Sequence, residues 1–136
     1  MSKDIKFRIW NKMDRKFYTY NKLDTTKWLI DMDGNLGYMD LTDFSWGGLI
    51  PKGFYQINQY TGLKDKNGKE IYEGDICKYV CGKSEWIAEV VFHYGMFTFP
   101  IKEKPLGRYV YIHNVLEREL EVIGNIYENP ELLEGN

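Results

Sequence analysis

Two cysteines and two histidines in 136 residues leave little material for covalent or metal chemistry. Cys77 and Cys81 sit in a strand-like context, where about 3.3 Å per residue puts their Cα atoms roughly 13 Å apart. A disulfide needs less than about 7 Å, so two ordinary reduced thiols are expected. Structural zinc wants four ligands, and no histidine adjoins the pair; neither a metal nor a cofactor is expected. No apolar run approaches the ~20 residues of a membrane span. The start, Met1-Ser2-Lys3-Asp4-Ile5-Lys6, has no apolar core behind its lysines, so no signal peptide is expected and the cytoplasm is the expected location. Phosphate loops of the G-x-x-x-x-G-K-[ST] or G-x-G-x-x-G type are missing too. Asp31-x-Asp33-Gly34-Asn35 opens like a calcium loop, but glycine stands fourth instead of sixth and Thr42 replaces the bidentate glutamate. A hairpin turn explains those residues better.

Aromatic side chains are abundant: eleven Tyr, seven Phe and four Trp make up 16% of the chain. They favour strands and bury much area each, so a mainly β fold is expected. The length suits one domain, 1–136, with N-terminal hairpins over 1–58 and a compact core over 59–133.

Ile5, Phe7 and Ile9 alternate with Lys6, Arg8 and Trp10, the period of a half-buried strand. Lys12-Met13-Asp14-Arg15 reads as a turn, with Phe17 to Tyr20 as the returning strand. Trp28 to Asp31 and Leu36 to Leu41 flank a second hairpin signal at Asp33-Gly34-Asn35. The Gly-rich stretch from Thr42 to Gly53, with Pro51, reads as a loop. Asn67-Gly68 suits a type I′ turn. Ile76 to Val80 follows as a strand, and residues 86–93 form one longer strand broken by Tyr94-Gly95. Phe97 to Ile101 and Arg108 to Ile112 are β-like, His113 to Leu120 is ambiguous, and Leu120 to Ile126 alternates as a last strand. Asn129-Pro130-Glu131 has helix N-cap chemistry and predicts a short C-terminal helix held by Leu132 and Leu133. Short strands between Gly, Asn, Asp and Pro turns make a small β-barrel or sandwich.

Three segments carry a family resemblance: Ile5 to Asn11, Gln59 to Ile76, and Val122 to Leu133. The central one, Gln59-Tyr60-Thr61-Gly62-Leu63-Lys64-Asp65-Lys66-Asn67-Gly68-Lys69-Glu70-Ile71-Tyr72-Glu73-Gly74-Asp75-Ile76, closely resembles the signature of the YopX-like family of phage and prophage proteins. The resemblance implies a phage-encoded, mostly β protein, and carries over no catalytic or binding residue.

Net charge is −2, unevenly spread: residues 1–27 hold eight Lys/Arg against three Asp/Glu, and residues 117–136 one against six. Two ends that complement each other explain this more simply than a basic face for nucleic acid or an acidic partner. For catalysis, Glu89 and His93 share a strand face and His113 lies further on, but spacing assembles no nucleophile and base. A non-enzymatic role is therefore expected, binding a host or phage protein. The candidate anchors are Phe44 and Trp46 beside Gly47-Gly48, since aromatics dominate interface hot spots. The alternative is an SH3-like barrel binding nucleic acid through Tyr60, Lys64, Lys66, Lys69 and Tyr72, a mixture of cations and stacking faces. Exposed edge strands also leave a homo-oligomer open.

Overall fold

The protein is described by a computed structural model that covers residues 4–19, 24–101, 108–111 and 119–134. It is mainly β, with 57% of residues in strands against 7% helical, and includes a curled half-barrel sheet. The chain divides into two compact units, Arg8–Ile57 and Met1–Phe7 together with Asn58–Asn136.

The smaller unit opens with a hairpin of β1 (Phe7–Asn11) and β2 (Lys16–Tyr18), in register from Ile9↔Tyr18 to Asn11↔Lys16. Asn11 closes the turn, its Oδ1 accepting from the N–H groups of Met13 and Asp14. A three-stranded antiparallel sheet follows: β3 (Thr26–Ile30), β4 (Leu36–Asp40) and β5 (Ser45–Leu49), in that order. Ile9, Leu36 and Tyr55 form the buried core, with Tyr18, Trp28, Ile30, Ile50 and Ile57 packed against them. Even the Tyr55 hydroxyl is used, accepting from the Leu36 N–H at 3.1 Å.

β5 corrects the expected loop over Thr42 to Gly53. Glycines weaken a strand because they bring nothing to pack, and here neighbouring rings supply what they lack. The Trp46 ring lies over Gly37, where an added Cβ would sit 2.6 Å from Trp46 Cη2, and the Tyr38 ring lies over Gly47. Each aromatic thus covers a glycine of the adjacent strand. Beyond β5, Lys52–Phe54 forms a short 3₁₀ turn.

In the larger unit, the latter part of β6 (Tyr55–Lys64) pairs with β7 (Glu70–Tyr72) through Tyr60↔Tyr72 and Lys64↔Glu70. β8 (Asp75–Cys81) lies between β9 (Ser84–Glu89) and β13 (Leu120–Asn125). β10 (Val91–His93), β11 (Met96–Ile101) and β12 (Arg108–Tyr111) form a second three-stranded sheet. Ile71, Cys77, Ala88, Val90, Phe99 and Leu120 make its core. The expected single strand over 86–93 is two, because Val90 leaves the ladder. Its N–H donates to Asp75 O and its carbonyl accepts from Gly74 N, both at 2.8 Å. Tyr94 and Gly95 turn the chain as expected, both at positive φ.

Two local readings need correction. In the Asn67-Gly68 turn only Gly68 has positive φ (80°), so it is not type I′, which needs two such residues. Asp65 shapes it instead, its carbonyl accepting from Gly68 N and its N–H donating to Lys69 O. Asn129 stands at the N-cap of the terminal helix, a 3₁₀ turn over Pro130–Leu133, but its side chain makes no capping bond. Its Oδ1 turns back to accept from Asn125 N at 3.2 Å, and the Asn129 side chain fills the space beside Gly124. Tyr20, Ile112 and most of the ambiguous His113 to Leu120 stretch lie outside the described residues.

Candidate interaction face

The signature run folds into a structural device. Asp65 is 4% exposed, and its carboxylate receives three backbone N–H groups: Asn67 and Lys69 on Oδ1, and Val122 on Oδ2 at 2.9 Å. Burial pushes this carboxyl up, but the Val122, Lys69 and Asn67 donors together with the Lys69 charge outweigh it and hold it below the ordinary range. Nine residues on, Gly74 N–H donates to Val90 O and its carbonyl accepts from Ile126 N, while Glu73 N reaches Gln59 O. Gly74 sits at φ 85°, close to the Asn58 and Tyr127 side chains, which are themselves bonded at 2.8 Å. Glu73-Gly74-Asp75 therefore ties itself to three distant segments, at Gln59, Val90 and Ile126. Such tasks account for the motif by folding alone.

The five residues proposed for nucleic acid share this region but present few bare aromatic surfaces. Tyr60 is 6% exposed, its ring 5.4 Å from that of Tyr72, with Lys6 Nζ also 5.4 Å from its centroid. Lys66 pairs with Glu121 at 3.2 Å. Lys64 and Lys69 stand exposed in solvent. The cations are assembled; the stacking platform is mostly used internally.

The β3–β4–β5 sheet is different. Trp28, Ile30 and Leu36 pack on the core side. Alternation sends the next residues outward in two cross-strand rows, Leu29–Gly37–Leu49 and Lys27–Met39–Trp46. Trp46 and Leu49, three residues apart, would face opposite ways on a regular strand. A register shift opposite Tyr38 and Met39 inserts the extra residue that brings them to one side. The result is an open apolar face, with Leu29 41% exposed, Trp46 53% and Leu49 60%. Phe44, 77% exposed at φ 55°, stands on the turn at one end. That turn is held by Asp40 Oδ1, which accepts from the Thr42 N–H and hydroxyl, and by Asp43 Oδ1, which accepts from Ser45 N. The structure thus brings Phe44 and Trp46 to neighbouring places and adds Leu29, Met39 and Leu49. Sequence reasoning missed those three because Trp28-Leu29-Ile30 shows no alternation and Gly47-Gly48 hid a strand.

The histidine candidates do not assemble into more. His93 ends β10 with its ring edge-on to Tyr94 at 4.1 Å; His113 lies outside the described residues. Burial, and then the Glu73 charge, push Glu89 above the ordinary range. Among the described residues no group of three or more His, Cys, Asp or Glu is placed to hold a metal ion, and no helix is long and apolar enough to cross a membrane.

The sequence profile of the family described as YopX protein matches residues 6–134. The crystal structure of protein yopX from Bacillus subtilis is similar with a TM-score of 0.69 at 22% identity, covering 95% of this chain and 98% of that one. The crystal structure of protein EF1440 from Enterococcus faecalis gives a TM-score of 0.61 at 29% identity, covering 98% and 100%. No curated protein matches the chain.

Proposed function

This chain belongs to the YopX protein family, and on that premise we propose that it is a phage-encoded, non-enzymatic accessory factor that binds a protein in the cytoplasm of its bacterial host. The phage origin rests on the resemblance of the Gln59–Ile76 signature to phage and prophage proteins. The binding role rests on one observation: the outer face of β3–β4–β5 leaves Leu29, Trp46 and Leu49 open to solvent. Contiguous exposed apolar surface is uncommon on proteins that act alone, and Trp is among the residues that carry most interface energy. Trp46 is also held in place by its packing on Gly37, which lowers the entropy lost on binding.

The test is capture of partners from host lysate by tagged protein, with and without nuclease, comparing the native chain with Leu49→Ser. Leu49 is chosen because it is exposed and outside the core. A discrete protein retained after nuclease and lost with Leu49→Ser is the expected result. Retention by both forms alike would remove this face from consideration.

The second reading, nucleic-acid binding, is supported by the exposed Lys64 and Lys69. It predicts material released by nuclease and by salt, and weakened by Lys64→Glu with Lys69→Glu.

A further inference from the structure

The apolar rows of β3–β4–β5 are framed mostly by acidic side chains, against Lys27 in one outward row and Lys52 near Asp31. Residues 24–50 contain Asp24, Asp31, Asp33, Asp40 and Asp43 against a single Lys27, a net charge of −4. The register fixes where they lie. Thr26↔Asp40↔Ser45 is one end of the sheet, with Asp24 just before β3 and Asp43 just before β5. Ile30↔Leu36 is the other end, closed by the turn that holds Asp31 and Asp33. Carboxylates therefore stand at both ends of an apolar surface.

We infer that the occupant of this face is a basic, apolar segment of a protein partner, with hydrophobic side chains meeting Leu29, Trp46 and Leu49 and Lys or Arg reaching the aspartates at the two ends. This rests on the protein-binding reading above and names the chemistry of the partner. A five-residue strand spans roughly 17 Å, so the middle of the face lies about one Debye length from either end at moderate salt. The two acidic ends thus act on the same short segment.

Turn chemistry explains part of the acidity. Asp31 accepts from Asp33 N, Asn35 N and the Asn35 side-chain amide, and Asp40 and Asp43 fix the turn before β5. Asp24 and Asp33 serve no such purpose among the described residues. Hydrogen bonds from the Asn35 amide and then its backbone N–H hold Asp31 below the usual carboxylate range, and the Ser45 hydroxyl and N–H do the same for Asp43. Asp31 and Asp43, one at each end, are thereby kept charged at neutral pH. Nucleic acid and anionic lipid are repelled by it. So is a second copy meeting the same face across a two-fold axis, where like charge would oppose like.

The experiment uses the full chain and two fluorescein-labelled peptides, one alternating Leu and Lys and the other alternating Leu and Glu, read by anisotropy at low and high salt. The Leu/Lys peptide should bind at least about ten-fold more tightly, and high salt should erase most of that preference. Asp24→Asn with Asp33→Asn should cost about three-fold or more, and Leu49→Ser about five-fold, while Glu131→Gln in the other unit changes nothing. Equal affinity for both peptides, or a preference that survives the Asp24/Asp33 and Leu49 variants, overturns the inference. A lysate protein that Leu49→Ser releases but high salt and the aspartate variants do not would also overturn it, leaving the protein-binding reading standing. Self-association that blocks the peptide and is lost with Leu49→Ser would replace the occupant with a second copy.

Discussion

At the scale of single residues, two buried polar groups have opposite fates. Asp65 is satisfied by three backbone donors from two parts of the chain. Asp65→Ala should cost roughly 2–3 kcal/mol, since it removes bonds to a charged acceptor and orphans the part-buried Val122 N–H; urea unfolding measures it. Thr98, 1% exposed, has no partner for its hydroxyl among the described residues. Replacing it with the nearly isosteric valine removes a desolvated polar atom and should raise stability by about 1 kcal/mol. A clear fall in Tm for Thr98→Val would show that the hydroxyl has work to do. Neither role was visible beforehand. Asp65 looks in sequence like any turn aspartate, because the Val122 N–H lies 57 positions away.

At the scale of elements, most turns and strands were legible in place, while turn type, side-chain capping and long-range partners were not. Lys12 to Arg15 and Tyr94-Gly95 turn the chain as their composition says, whereas the alternation of Ile5 to Trp10 gives a strand but not its faces: Ile5 and Phe7 are exposed, and Arg8, Ile9 and Trp10 are all buried. β5 was hidden because Ser45-Trp46-Gly47-Gly48-Leu49 has little strand propensity of its own; its stability comes from rings on β4 and β5 covering each other's glycines. Trp46→Ala should therefore loosen the β4–β5 pairing as well as the face, while Leu49→Ser leaves the fold intact. Hydrogen exchange separates the two: faster exchange of β5 amides is expected for Trp46→Ala alone. The candidate site was half legible for the same reason. Phe44 and Trp46 are conspicuous beside glycines, whereas Leu29 and Leu49 become partners only through the bulge that resets the register.

At the scale of the whole molecule, acid should be the weak side. Asp31, Asp43 and Asp65 all have carboxyls held below their ordinary range. Their contribution is fully present above the unfolded carboxylate value near 4 and is lost as pH falls through the lower folded values. Glu89, raised by burial and by Glu73, has the opposite sign, so Glu89→Gln should stabilise the chain at neutral pH. Melting temperatures across pH 2–7 should fall most steeply at the acid end, and less so in Asp65→Asn; a flat profile would contradict the assignment. The hydrogen bonds of Gly74 and Asp65 also bear on the order of synthesis. Val122 N and Ile126 N complete them, and β13 pairs with β8, so the earlier strands of that unit leave the ribosome with their acceptors unmet. At roughly 5–20 residues per second, β8 waits seconds for the strand that closes it, which makes the nascent chain, rather than the finished protein, the form most open to proteases and chaperones.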